Sequence, residues 1–318
     1  MTLLATPWAL RRQGVIGMNR RNFELVGAHN HRQAYPLVDN KLFTKRLAAK
    51  AGIPMPRLLG ELSRQFEVEK ISERIGELDK FVIKPAQGSG GRGILVIHGR
   101  ENGHYRKSSG EVIATAEIKR LLTNIISGLY SLGGRTDSAI IESLVVASEM
   151  FDQISVGGVP DIRVIVFQGY PIMAMLRLGT LKSEGKANLH QGGIGVGIDL
   201  RTGASLGAVQ YNRRVTHHPD SGVSLDDIHI PEWKSLLALA CRCFDATKLG
   251  YLGCDIVIDR DAGPLLLEMN ARPGLAIQLA NDCGLEPRLC AVRERVAFAP
   301  SVDERVAFAL DGLGGAIP

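Results

Sequence analysis

At 318 residues, with 45% hydrophobic and 22% charged residues, the chain has an ordinary globular composition, long enough for one large domain or two to three modules. That excludes a disordered polymer, and no segment reaches the ~18 uninterrupted apolar residues a membrane span needs. The net charge of +5 is uneven, with nine Lys or Arg against Glu24 and Asp39 in residues 1–50; no aromatic-rich RNA motif accompanies it, so nucleic acid is not an expected partner.

Residues 1–36 mix Arg, Asn, His and Gly with weak periodicity and read as a basic, irregular or partly helical lead-in. Its opening, "MTLLATPWALRR", is a poor signal peptide because the charges follow a short apolar part. "LVDNKLFTKRLAAKAGIPMP" (37–56) predicts a helix capped by Asp39 or Asn40, with Leu42, Phe43, Leu47 and Ala48 apolar, stopped by Gly52 before the prolines. "FVIK" (81–84) and "ILVI" (94–97) predict a hairpin around a glycine loop, and 111–132 a helix. Strands are expected at 139–146, 161–169 and 171–179, followed by a polar, glycine-rich loop over 180–197. An amphipathic helix at 231–249 precedes a second hairpin, "DIVIDRDAGPLLLEMN" (255–270), turning at D-A-G. "ERVAFA" occurs at 294–299 and again at 304–309, which predicts helical packing in the tail; two copies are too few for a solenoid. The five cysteines (241, 243, 254, 283, 290) lack paired C-x-x-C spacing, so reduced thiols and a cytoplasmic location are expected.

Gly88, Gly90 and Gly93 satisfy G-x-G-x-x-G, but a dinucleotide site requires a helix after the turn, and here β-branched residues follow. A Walker loop would end in G-K-[ST], which is absent. Lys84 instead ends the strand before the glycines, which suits a flap whose N–H groups cover phosphates while the lysine neutralises them. A mobile surface hairpin is the plainer alternative. In 255–270, Glu268 and Asn270 are two apart on a strand and share a face, with Asp255 expected opposite. Two acids and an amide make a hard oxygen site suited to Mg²⁺ bridging phosphates, the alternative being a turn cap.

A strand lysine before "QGSGGRG", a "DIRV" strand, "NLHQGG" and a closing "CDIVIDR…LLLEMNARPG" together resemble the ATP-grasp superfamily, over roughly residues 37–285. The chain is most similar to the ribosomal-protein glutamate ligase (RimK-like) branch and its alpha-L-glutamate ligase-related members. The resemblance implies an α+β fold in which two subdomains grip ATP between them. It divides the chain into a lead-in (1–36), an N-terminal subdomain (37–137), a C-terminal subdomain with the metal site (138–290) and a helical tail (291–318). Lys84 matches the strand lysine on ATP phosphates, and Lys41 the earlier family lysine, with Lys45 the alternative. Gly88, Ser89, Gly90 and Gly91 form the flap. Glu142, Ser143 and Leu144 match the segment holding adenine and ribose, and Arg177 joins the nucleotide site. Asp255, Glu268 and Asn270 match ligands of Mg²⁺, two ions being expected and Mn²⁺ a substitute. Arg163, Arg272, Asn188 and His190 match positions lining the phosphate and acceptor site, where His190 is either a base, a substrate contact or a hydrogen-bonded loop histidine.

The activity implied is an ATP-dependent carbon–nitrogen ligase of the acid–amino-acid type, adding glutamate or another amino acid to a peptide, protein or small metabolite through an acyl phosphate. A phosphotransferase and a non-catalytic nucleotide- or partner-binding module are the alternatives. Two departures from the pattern stand out. The N-terminal α/β domain ahead of the "DNK" helix is reduced, so a homo-oligomer or a partner subunit is expected to complete the substrate platform. Residues 99–137 are longer than in the glutamate ligases.

Overall fold

The computed structural model describes residues 6–88, 90–131, 133–295 and 300–315. Each β-rich run read from the sequence forms a strand, and the strands assemble into two wholly antiparallel sheets. The first helix of the pattern runs Lys41–Lys50, and its cap is Asn40, whose Oδ1 accepts from Leu42 N at 3.0 Å and Phe43 N at 3.3 Å. The chain divides into two compact units: Asp39–Arg46 with Met55–Val146, and the remainder, which includes Leu47–Pro54 and the stretch from Ala147 onward.

The first unit holds β1 (Leu58–Leu62), β2 (Phe81–Pro85), β3 (Leu95–Glu101), β4 (His104–Lys107), β5 (Val112–Ile113) and β6 (Ala139–Ser143), in the order β1-β6-β2-β3-β4-β5. Strands β2 and β3 pair as Phe81↔Ile97 and Ile83↔Leu95, so the glycine loop is the tip of a hairpin and no helix follows it. The helix expected over 111–132 is shorter, Thr115–Ile126. Val112 and Ile113 pair with β4 instead, and Glu117 Oε1 accepts from Ala114 N at 3.3 Å to close the first turn after them. Ile118, Leu122, Ile125 and Ile126 repeat at helical spacing and are buried in a core with Phe81, Ile83, Ile97 and Ile141. Each such side chain contributes about 1.5–3 kcal/mol by leaving water.

The second unit holds β7 (Asp161–Phe167), β8 (Tyr170–Leu178), β9 (Ile194–Ile198), β10 (Ser205–Gln210), β11 (Arg213–Val215), β12 (Tyr251–Asp259) and β13 (Gly263–Asn270), in the order β11-β10-β9-β8-β7-β12-β13. The loop expected over 180–197 ends early, because "IGVGI" forms β9 between β8 and β10. Its glycines hid the strand: a Cβ on Gly197 would lie 2.3 Å from Ala280 O, so the position demands glycine although the backbone is extended. The amphipathic helix Trp233–Thr247 packs on this sheet through Leu236, Leu237, Ala240 and Cys243.

The lead-in is part of this unit. Short helices at Pro7–Arg12 and Met18–Arg20, the latter continuing into a π-helical turn at Arg21–Gly27, lead to buried Asn30. Asn30 Nδ2 donates to Tyr251 O at 2.7 Å and Ala271 O at 2.8 Å, and its Oδ1 accepts from Tyr251 N at 2.9 Å. The side chain of Gln278 likewise brackets Ile16, accepting from its N–H and donating to its carbonyl, both at 3.0 Å. At the other end, helices run Glu286–Arg293 and Val302–Leu310. The second "ERVAFA" lies in the last of these, while residues 296–299 of the first copy lie outside the described residues. Among the described residues no helix is long and apolar enough to cross a membrane.

Candidate functional site

Chemistry-bearing side chains gather at one place in each unit. In the first, Val82 pairs with Glu142 across β2 and β6, so Lys84, two residues on, shares a face with that glutamate. Lys84 Nζ lies 2.5 Å from Glu142 Oε1, and Lys45 Nζ, from helix Lys41–Lys50, lies 2.7 Å from Oε2. Lys45 Nζ also donates to Pro56 O at 2.6 Å. All three residues are buried, at 7% exposure or less. Burial alone would raise the Glu142 pKa, but the two ammonium groups outweigh it and hold the carboxyl below its ordinary range. Burial drives the Lys45 pKa down against the pull of Glu142.

Two ammonium groups on one carboxylate leave an excess buried positive charge. Such a charge is costly unless an anion compensates it. The lysine that joins Lys84 here is Lys45. Lys41 Nζ donates to Gly88 O at 2.8 Å and so touches the glycine loop. Gly88, Gly90 and Gly91 lie in that loop, and Ser89 lies outside the described residues. Glu142 pairs with both lysines. Ser143 binds the Arg57 backbone, its Oγ accepting from Arg57 N and its N–H donating to Arg57 O, both at 2.9 Å; half-buried Leu144 follows β6.

In the second unit the strand register builds a charged row inside an apolar sheet. Asp255 on β12 pairs with Glu268 on β13 and with Arg163 on β7, while Asp161, two residues from Arg163, pairs with Arg177 on β8. Period-two geometry turns these groups to one face. Arg163 grips Asp255 bidentately, Nε to Oδ1 at 2.7 Å and Nη2 to Oδ2 at 2.6 Å. Arg177 bridges two acids, Nη2 to Asp255 Oδ2 at 2.8 Å and Nε to Asp161 Oδ1 at 2.5 Å. Asn270 Nδ2 donates to Asp255 Oδ2 at 3.2 Å and Glu268 Oε1 at 3.4 Å.

Burial favours the neutral acid at both Asp255 and Asp161, but the arginines divide unequally. For Asp255, Arg163 and Arg177 overcome burial and drive the pKa well below the ordinary carboxylate range. For Asp161, burial together with the neighbouring Asp255 charge overcomes Arg177, and the pKa is pushed up to about 6. Asp161 opens "DIRV" as Asp255 opens "DIVI". The criterion that singled out Asp255, an acid at the mouth of an apolar strand, therefore applies to Asp161 too, which sequence reasoning left without a role.

Asp255, Glu268 and Asn270 offer only oxygen donors, the preference of a hard divalent cation. Among the described residues no three His, Cys, Asp or Glu cluster as a metal site. By donor chemistry the set fits Mg²⁺, and with both Asp255 oxygens engaged by Arg163 and Arg177 such an ion would take most of its ligands from phosphates and water. The other expected residues have different surroundings. Asn188 Oδ1 accepts from His190 N at 3.0 Å and caps the short turn Leu189–Gln191, on which His190 is exposed. The Arg272 guanidinium lies 4.9 Å over the Tyr35 ring.

The family model described as sugar-transfer associated ATP-grasp matches residues 20–294, spanning both sheets and most of the lead-in. The chain belongs to this ATP-grasp family. Among curated relatives it is 24% identical over 257 residues to a probable alpha-L-glutamate ligase of Parasynechococcus marenigrum, covering 80% of this chain and 41% of that protein. It is 25% identical over 303 residues to a cyanophycin synthetase of Crocosphaera subtropica, covering 89% of this chain and 33% of that one. The chain therefore spans less than half the length of either relative. A solved D-alanyl-alanine synthetase A of Vibrio cholerae superposes with a TM-score of 0.48 at 12% identity, over 89% of this chain and 66% of that one.

Proposed function

We propose that this ATP-grasp chain is an ATP-dependent carboxylate–amine ligase that joins glutamate or another amino acid to a peptide, a protein or a small metabolite. The observation that carries the reading is the Asp255–Glu268 pair, set side by side by strand register and held with Asn270, Arg163 and Arg177 on one face. Forming an amide from a carboxylate at neutral pH requires activation. A carboxylate oxygen attacks the γ-phosphorus of ATP, the bond to the bridging oxygen breaks and ADP leaves. The amine nitrogen of the second substrate then attacks the acyl carbon, loses its proton, and phosphate departs with the bonding pair.

Phosphoryl transfer is served by positioning and charge neutralisation rather than by a nucleophilic side chain. Lys84 and Lys45 supply fixed positive charge for phosphate, and Glu142 holds both in place. Arg163 and Arg177 supply two further cations to oxygens that gain charge in the transition state. Held by Asp255, Glu268 and Asn270, Mg²⁺ would neutralise the phosphates as the γ-phosphoryl moves. The names of the curated relatives support an amino-acid substrate. The family's description ties it to sugar transfer, so amino sugars belong among the acceptors tested.

The test is mass spectrometry of products, with ADP release, after incubation with ATP, Mg²⁺, each amino acid and peptide, amino-sugar or cell-extract acceptors. An amide product whose formation requires both a carboxylate and an amine is expected. Lys84→Ala and Glu268→Gln should each lower turnover by about a hundredfold or more. ATP hydrolysis indifferent to every carboxylate and amine, or a stable phosphorylated end product, would overturn the reading. Wild-type rates in both variants would overturn the residue assignment.

A further inference from the structure

Asp137 is a buried carboxylate that the proposed chemistry does not use, and it sits at the foot of the glycine flap. It is 5% exposed. Its oxygens accept from Gln87 N at 3.0 and 3.2 Å, from Gln87 Nε2 at 3.3 Å and from Ser138 N at 2.7 Å. Gln87 is the residue just before Gly88, so three of these contacts act on the first stem of the flap. Around the same stem, Lys41 Nζ donates to Gly88 O at 2.8 Å, Lys41 N donates to Ala86 O at 2.8 Å, and Ala86 N donates to Ser138 O at 2.8 Å. The second stem is fixed by packing: a Cβ on Gly93 would lie 2.5 Å from Tyr130 Cδ2. Ser131 forms an isolated β-bridge with Gly88. Tyr130, Ser131, Asp137 and Ser138 all belong to the connection between helix Thr115–Ile126 and β6.

A carboxylate buried on backbone and amide donors is a rigid fixture, because each N–H···O⁻ bond is stronger and shorter than a neutral one. Flap tips rich in glycine have little structure of their own, so the order of the loop depends on its stems. We propose that Asp137 is a positioning residue for the phosphate flap, and that Lys41 acts from the other side of the same stem as its latch. This inference rests on the reading of the glycine loop as a phosphate flap. It gives the long 99–137 segment a role, since its end carries the clamp.

Arg92, exposed in the flap, makes the proposal measurable without substrate. Limited trypsinolysis of the full chain, read by mass spectrometry of the first products, reports opening of the flap by cleavage after Arg92. Asp137→Ala should speed that cut about tenfold while leaving first cuts elsewhere unchanged, because the opening is local. Asp137→Asn should fall between wild type and Asp137→Ala, since its amide oxygen still accepts from Gln87 N but without the charge that strengthens the bond. Binding of the ATP analogue AMPPNP with Mg²⁺, followed by calorimetry, should weaken about tenfold in Asp137→Ala and less in Asp137→Asn. Unchanged Arg92 cleavage in Asp137→Ala, or faster cleavage at all sites together with a lowered melting temperature, would overturn the proposal. If wild-type protein fails to bind AMPPNP, the ligase reading falls, while the cleavage comparison still decides the clamp.

Discussion

Glu142 shows how one residue governs two others. Among the described residues it pairs with both Lys84 and Lys45, so removing its charge leaves two buried ammonium groups facing each other. Glu142→Gln should therefore cost about 3–5 kcal/mol, the range for breaking a buried pair, measured by urea unfolding, and should weaken AMPPNP binding. Asp161 yields a second residue-scale test. Its folded pKa, about 6, lies above its ordinary value of 3.8. An acid raised in this way contributes stability that is complete below the unfolded value and is lost as pH rises through the folded one. The low Asp255 value moves the opposite way, with stability lost only on strong acidification, outside this window. Wild-type protein should thus lose melting temperature between about pH 4 and pH 6 relative to Asp161→Asn, which cannot ionise, and parallel melting curves would refute the assignment.

At the scale of elements, the two hairpins differ in what positions their chemistry. The β12–β13 hairpin places Asp255 opposite Glu268 by register alone, so a one-residue slip would turn one of them to the other face. The β2–β3 hairpin carries the proposed phosphate flap on an irregular tip, and there the connection before β6 contacts the stems. Gly93 has φ +73° and lies against the Tyr130 ring, so Gly93→Ala meets both backbone strain and a clash. The expected outcome is AMPPNP affinity lowered by about tenfold or more with a melting temperature close to wild type, read by calorimetry and thermal unfolding, since the strain falls on an exposed loop.

For the whole molecule, the lead-in is a structural part of the seven-stranded unit rather than an appendage. Asn30 makes three buried hydrogen bonds to Tyr251 and Ala271, the latter next to Asn270. Asn30→Ala would leave those backbone groups unpaired, at a cost of about 3 kcal/mol. Hydrogen exchange at the Tyr251 amide should accelerate accordingly, and unchanged protection there would show that the segment anchors nothing. Lead-in residues Arg20 and Glu24 also form a network with Glu286, with Arg20 Nη2 2.8 Å from Glu286 and 2.9 Å from Glu24, so part of the basic charge read in the sequence is internally paired.

The sequence by itself determined what is written in local pattern: the strands with continuous β-rich runs, the hairpin after Lys84, an N-cap at Asp39 or Asn40, and the shared face of Glu268 and Asn270, which follows from a period of two. It also carried the ATP-grasp assignment, through motifs in order. The tertiary structure decided whatever depends on residues distant in the chain. Lys45, not Lys41, meets Lys84, because both reach a glutamate that strand pairing brings from far along the chain. β9 was concealed because its glycines are demanded by a neighbouring backbone and not by a turn. Asp161 gained its raised pKa, and Asp137 its place under the proposed flap, only when burial removed water and left specific partners to decide their charge. Local propensity and periodicity act within a few residues, whereas desolvation and pairing are properties of the folded interior.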